Sequence, residues 1–350
     1  MPDQLPGYVY DLGELRDHVA GIRSALGDIS FYYAVKANPD PRLLAVLAPY
    51  VDGWEVASGG ELAHIRALHP AMPIAMGGPG KTDAELALAQ GIHRHHVESP
   101  LELRRMLASG RPADILLRVN LAVRITGAAL VMGGEPTPFG MDPAGIAECL
   151  ALLDGQSRVR LHGIHAHLAS GLHADAALTV AAAVLDYARG LGLREVNLGG
   201  GMAVNYADPA DRFDWKTYGA GLADLRRPDE VLRIEPGRAV TVYCGRYVTE
   251  VIDVKRVQGE LFAIVAGGTH HIRTPATKKH NHPLTIPTPG EPTTLVGQLC
   301  TPKDLLAAHV PITLHPGDTV EFLMAGAYAW NISHTEFLMH PHPTFTYLDE

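Results

Sequence analysis

Cysteine is scarce in this sequence: Cys149, Cys244 and Cys300 are the only three in 350 residues, and no two stand at CxxC spacing. That excludes a disulfide framework and a cysteine-based zinc site. No apolar run reaches the roughly 18 residues that a membrane-spanning helix needs. The opening "MPDQLPGYVYDLGELRDHV" carries acidic residues and no apolar core, so it does not read as a secretory signal. Positive charge is in deficit too. A formal net charge of −9 argues against non-specific binding to nucleic acid. Internal repeats, low-complexity tracts and disordered linkers are also missing. The expectation is a cytoplasmic protein that acts on a small molecule, with neither membrane nor nucleic acid as partner.

What is present is apolar material, 47% of the chain, enough for one large core or for one large and one small. It comes in a rhythm of short apolar or β-branched runs, each ending in small or polar residues, most followed by a helical pattern. The runs are "ISFYYAVKA" (29–37), "VDGWEVAS" (51–58), "MPIAMGG" (72–78), "RHHVES" (94–99), "ADILLRVN" (113–120), "VRLHGIHAHL" (159–168), "EVNLGGG" (195–201) and "EVLRIEPGR" (230–238). Thr82 or Asp83 is placed to cap the helix after the third run. Alternation of this kind predicts a parallel sheet, and eight units predict a closed (β/α)8 TIM barrel, with an open doubly wound sheet as the alternative. Beyond Val240, "VTVYCGRYVTEVIDVKRV", "LFAIVAGG", "TTLVGQLC" and "DTVEFLMAGAY" read as strands without long helices between them. The expected organisation is a barrel over 14–240 and a β-rich, sandwich- or barrel-like domain over 241–350, joined by residues 1–13.

Function in such a barrel sits at the C-terminal ends of the strands. Reading only those ends gives Lys36, Glu55, Arg118, His165, His167, the run Gly199-Gly200-Gly201, and Glu235-Pro236-Gly237-Arg238. A lysine closing an apolar strand is expected to be desolvated and therefore a nucleophilic amine that forms Schiff bases. The bland alternative is a lysine that snorkels outward or pairs with Glu55. Three glycines after a strand expose amides that can cradle a phosphate, although a tight turn needs glycines as well. A strand-end glutamate suits a heterocyclic nitrogen and Arg238 a phosphate, the alternative being an internal ion pair. A lysine for an aldehyde, a cradle for a phosphate and an acid for a pyridine nitrogen together describe pyridoxal 5′-phosphate.

Seven stretches occur in order: "YAVKAN", "WEVASGGEL", "HAHLASG", "NLGGG", "EPGR", "GQLC" and "AGAY". With them the chain, from about residue 10 to 330, resembles the fold-type III, alanine racemase-like, pyridoxal phosphate-dependent decarboxylases of the diaminopimelate, ornithine and arginine group. The resemblance implies that Lys36 carries the cofactor and that His167 stacks on its ring. It implies Ser170, Gly199, Gly200, Gly201, Gly237, Arg238 and Tyr328 around the phosphate, and Glu235 on the pyridine nitrogen. Cys300 would enter the neighbouring subunit's site and supply or direct a proton, which makes the enzyme a homodimer with shared sites. A carboxylate at Glu235 favours decarboxylation over the racemisation performed by relatives that place an arginine there.

The sequence departs from the family directly after Cys300. The usual acid is replaced by Thr301-Pro302-Lys303, and Asp304 follows only as the fourth residue. A distal ammonium is therefore poorly served. The stretch "GGTHHIRTPATKKHNHPL" instead gathers His270, His271, Arg273, Lys278, Lys279, His280 and His282, a cluster suited to distal carboxylates unless it is merely a solvated surface run. This stretch, with "AYAWNISHTEFLMHPHP", is similar to the siderophore-pathway branch that decarboxylates citryl-diaminopropionate. The expected substrate contacts are Arg118, His270, His271, Arg273, Lys278, His280 and Asp304. A basic amino-acid decarboxylase, a fold-type III racemase or dehydratase, and a catalytically dead regulator are the competing readings. The 19 histidines raise the idea of a metal, but HxH and HH spacing on loops is a weak signal, and no metal is expected.

Overall fold

A computed structural model describes residues 2, 4–123, 130–131, 136–273, 281–285 and 288–349. The chain forms two compact units. One comprises 19–203 and 213–237, the other 1–18, 204–212 and 238–350. In chain order the strands are β1 (Gly7–Asp11), β2 (Ser30–Ala34), β3 (Gly53–Val56), β4 (Ile74–Met76), β5 (Arg94–Val97), β6 (Ala113–Arg118), β7 (Leu130–Val131), β8 (Val159–His165), β9 (Ala169–Ser170), β10 (Glu195–Asn197), β11 (Val231–Ile234), β12 (Gly245–Val257), β13 (Glu260–Val265), β14 (Pro289–Val296), β15 (Leu305–Ile312), β16 (Thr319–Phe322) and β17 (Thr344–Leu348).

Eight of these close into a parallel barrel in the order β2-β3-β4-β5-β6-β8-β10-β11. All eight expected runs supply a strand, each shorter than the run that announced it. The apolar runs are continuous rather than alternating because helices cover the outside while side chains fill the inside. Phe31, Tyr32, Tyr33 and Ala34 of β2 are all buried. The helices between strands start on polar caps. Thr82 accepts from the Glu85 amide in a reciprocal capping box, and Ser58 and Ser99 accept from the Glu61 and Glu102 amides at the starts of their own helices. Register then fixes the height of the strand ends. Arg118 pairs with His165 between β6 and β8, and His165 with Asn197 between β8 and β10. Three polar side chains thus finish at one level. Lower in the barrel, Glu195 bridges Arg94 and Arg233 in a buried ion-pair layer.

The other unit is built on a mixed sheet ordered β15-β14-β13-β12-β1-β17, with β16 paired to β12. β1 runs antiparallel to β12 and parallel to β17. Its core is aromatic: Tyr8 stacks on Phe345 at 5.6 Å and also meets Tyr247 at 5.2 Å. Two strands here were not expected. β15, "LLAAHVPI", is rich in alanine and contains proline, a composition with little strand signal. β17 comes from the tail after "HPHP". The "GQLC" and "AGAY" ends of two expected strands lie in loops instead. Among the described residues no helix is long and apolar enough to cross a membrane.

Candidate active site

β2 ends at Ala34, and Lys36 stands on the short 3-10 turn Val35–Ala37 that follows. The expectation of a desolvated lysine inside a strand is corrected. The Lys36 side chain is 46% exposed, and Nζ lies 2.5 Å from Oε2 of buried Glu55. Turning out of the strand into a helical turn frees the amine from the barrel wall. Burial raises the pKa of Glu55, and the Lys36 ammonium opposes that rise. Gly237 closes against this turn. A Cβ there would stand 2.8 Å from the Ala37 Cβ and 3.2 Å from the Ala34 carbonyl. Ala34 N–H in turn donates to Pro236 O at 3.1 Å. The "EPGR" loop is thereby pinned beside Lys36.

Glu235 sits at the centre of a buried polar layer. Asn197 Nδ2 donates to its Oε1 at 2.6 Å, and His165 Nε2 lies 3.1 Å from its Oε2. His96 Nε2 is 3.6 Å from Oε1. The His96 and His165 rings stack at 4.1 Å with 12° between their planes. Burial drives both imidazoles well below the usual histidine pKa, so both are neutral. Among the described residues these two histidines and Glu235 are the one group of possible donors close enough together to share a metal ion. His165 Nε2 and Asn197 Nδ2 are turned onto Glu235, which makes this layer the wall behind a carboxylate, while Nδ1 of His96 and of His165 has no hydrogen-bond partner among the described residues.

The three glycines after β10 are required by packing. A Cβ on Gly199 would stand 2.7 Å from His167 Cβ, one on Gly200 2.5 Å from Glu235 O, and one on Gly201 2.1 Å from Ala169 O. Gly199 and Gly201 also take φ of +65° and +100°. Two of the three amides are spent internally, contrary to the expected open cradle. Gly199 N–H donates to Asn197 Oδ1 at 3.0 Å and Gly200 N–H to His167 Nδ1 at 3.0 Å. The second bond leaves the proton of neutral His167 on Nε2, which faces Ser170 Oγ at 3.5 Å. Burial, with Arg118 and Lys36 nearby, lowers the His167 pKa to about 3.

Arg118 is committed inside the barrel. It donates to Glu98 Oε1 at 2.7 Å and lies over the Phe139 ring. Glu98 also accepts from Gly78 N–H at 2.7 Å and Gly140 N–H at 3.2 Å. Beside it, fully buried Lys81 bonds Gly78 O, His96 O and Glu102. These pairs fix the loops around the barrel mouth, so Arg118 reaches the site through what it positions.

In the second unit Arg238 donates to Tyr206 Oη at 2.8 Å and lies 4.5 Å from the centroid of Tyr328. Tyr328 holds φ of +50°, a conformation uncommon for a bulky residue. Cys300 is exposed, Cys149 and Cys244 are buried, and none of the three is in a disulfide. Asp304 is 2% exposed. It accepts from Thr269 N–H at 2.6 Å, Thr269 Oγ1 at 2.8 Å and Leu299 N–H at 2.8 Å. It organises the loop carrying Cys300 and does not offer a carboxylate to a ligand.

The expected cluster of cations is corrected as well. His270 and His271 are 0% and 2% exposed, and burial pulls both pKa values down to about 4, so they are neutral. His271 is held by Tyr247 Oη at 3.1 Å and Pro341 O at 2.8 Å. His282 is buried against Leu323 O. Among the described residues, Arg273 is the one expected substrate contact here that is an exposed cation. Lys278, Lys279 and His280 lie outside the described residues.

Sequence reading missed His96, Asn197 and Glu98. A histidine or asparagine within a short strand looks like packing until its partner, 38 to 101 residues away for Asn197, is known.

The chain matches the family described as "Pyridoxal-dependent decarboxylase, pyridoxal binding domain" over residues 12–242. It is 40% identical to the 2-[(L-alanin-3-ylcarbamoyl)methyl]-2-hydroxybutanedioate decarboxylase of Staphylococcus aureus, across 98% of this chain and 94% of that protein. It is 31% identical to a diaminopimelate decarboxylase of Bacteroides thetaiotaomicron, across 93% of this chain and 91% of that protein. The crystal structure of Helicobacter pylori diaminopimelate decarboxylase complexed with L-lysine superposes with a TM-score of 0.86 at 24% identity, covering 99% and 92% of the two chains, a likeness of fold.

Proposed function

The chain belongs to the pyridoxal-dependent decarboxylases, and from that premise we propose that its substrate is an amino acid joined to a carboxylate-rich, citrate-like group. The observation that carries this reading is the loop after Cys300. Its nearest acid, Asp304, is buried and saturated by three donors, so the loop has no carboxylate for a distal ammonium. The name of the staphylococcal relative's reaction describes an L-alanine attached through its C3 and an amide to a hydroxylated dicarboxylate. Loss of carbon dioxide from the alanine carbon of such a conjugate, with one proton taken up, leaves a 2-aminoethyl amide. This is the citryl-diaminopropionate to citryl-ethylenediamine step of siderophore biosynthesis. Arg273 is the exposed cation that we assign to a distal carboxylate.

Pyridoxal phosphate is the cofactor of this family, and when bound it supplies an electron sink for the pair released as carbon dioxide leaves. The residues fit it. Lys36 offers an accessible amine, Glu235 a buried acceptor with two fixed donors, and His167 a neutral ring locked by Gly200. We assign the cofactor's aldehyde carbon to Lys36, its ring face to His167 and its pyridine nitrogen to Glu235. The phosphate falls to the Gly201 amide and Ser170. Cys300 serves as the proton-handling residue in a homodimer whose sites are shared. A cytoplasmic location belongs to the same reading and is supported by three cysteines, none of them in a disulfide.

The test is turnover of a panel: citryl-diaminopropionate, diaminopimelate, ornithine, lysine and arginine, followed by carbon dioxide release and product mass. The citryl conjugate is expected to turn over best. Preferential turnover of lysine, ornithine or diaminopimelate would overturn the substrate assignment.

A further inference from the structure

Asn197 is fully buried between two parts of the barrel site, and its hydrogen bonds define which way its amide faces. Oδ1 accepts from the Gly199 N–H at 3.0 Å, so Nδ2 must point the other way. One Nδ2 hydrogen goes to Glu235 Oε1 at 2.6 Å. The other faces His96 Nε2 at 3.4 Å, which makes Nε2 the acceptor and leaves the imidazole proton on Nδ1. His96 is fully buried, and its Nδ1 has no partner among the described residues. Its polar engagement is therefore through Nε2 alone, while its ring is held by the stack on His165. Glu235 N–H closes the circuit by donating to Gly199 O at 2.8 Å.

We propose that Asn197, braced by His96, is a positioning residue that sets the direction of the Glu235 carboxylate toward the cofactor's pyridine nitrogen and couples it to the glycine turn. One amide side chain thus touches the turn by its oxygen and the carboxylate by its nitrogen. A displacement at either place is transmitted to the other. His96 acts by accepting the second hydrogen, a third anchor that adds to those on Gly199 N–H and Glu235. The inference rests on the assignment of Glu235 to the pyridine nitrogen.

The experiment is titration of the full-length apoprotein with pyridoxal phosphate alone, without substrate, following the dissociation constant and the absorbance spectrum, with circular dichroism to verify folding. Asn197→Leu and His96→Leu are each expected to weaken cofactor binding roughly tenfold, the size of one lost buried hydrogen bond to a charged group. His96→Gln, whose side-chain oxygen can accept from Asn197, is expected to restore binding to within about threefold of the parent. Should Asn197→Leu fail to fold, the His96 pair decides. Binding by His96→Leu as tight as the parent's, or equal losses in His96→Gln and His96→Leu, would overturn the proposal. Glu235→Gln separates the two levels. A changed spectrum there with unaltered His96→Leu defeats only the positioning role, whereas an unchanged Glu235→Gln defeats the assignment beneath it.

Discussion

Lys36 Nζ lies 2.5 Å from Glu55 Oε2, with the amine half exposed and the carboxylate buried. A carboxylate this close holds the amine over the barrel mouth before any cofactor arrives. Lys36→Ala is expected to abolish the absorbance near about 420 nm that reports cofactor bound to an amine. Decarboxylation should fall by at least about a thousandfold. A variant that keeps both the band and the rate would remove Lys36 from the reaction.

Gly201 tests the tight turn. An alanine Cβ would meet the Ala169 carbonyl at 2.1 Å with φ of +100°. Gly201→Ala should lose about 2–4 kcal/mol in denaturant unfolding through clash and backbone strain, and should lose cofactor affinity with it. Unchanged stability would mean that the turn relaxes freely.

His270 carries two ring nitrogens without partners among the described residues, both buried. Replacing an unsatisfied polar ring by an apolar one removes a desolvation cost. His270→Phe should therefore keep its stability at pH 7 to within about 1 kcal/mol and leave KM unchanged. A rise in KM with stability intact would restore His270 to the substrate contacts expected from sequence.

Acid sensitivity follows from neutral imidazoles that are buried or, for His93, half-buried. His93, His95, His270 and His271 have pKa values near 4 when folded, lowered chiefly by burial, against 6.5 for the unperturbed group. Between these values the unfolded chain binds more protons than the folded one, so stability is full above pH 6.5 and falls as pH drops toward 4. Melting temperature should decline by several degrees over that window, and less steeply in His270→Phe. A flat profile between pH 7 and 4.5 would show that these rings are solvated.

Asp304→Ala removes the acceptor for three donors and should cost roughly 2–4 kcal/mol. The effect on turnover should fall on kcat through disordering of the Cys300 loop, with the ranking of substrates unchanged. A changed ranking would give Asp304 the substrate role that its burial denies.

The barrel was legible because each parallel strand announces itself as an apolar run, and because strand ends collect polar residues where side chains leave the wall. Lys36, Glu235 and the glycines could be found that way. The depth of a residue could not. "HH" at 270–271 counts as charge in a sequence, yet both rings are buried and neutral. The partners of His96 are equally silent. Its neighbours Asn197 and Glu235 are far away in sequence, and only the closed barrel brings them into one layer. The glycine run was read for its amides, but two of them are consumed by Asn197 and His167.

The Asp304 clamp separates where a loop stands from what it displays. The donors that seat its carboxylate come from Thr269 and from the Leu299 backbone, and none is a side chain of Thr301, Pro302 or Lys303. Those three side chains can be changed without removing a donor to the Asp304 carboxylate. Diversification of substrate preference along such a lineage needs no new architecture, only new letters in a short exchangeable cassette.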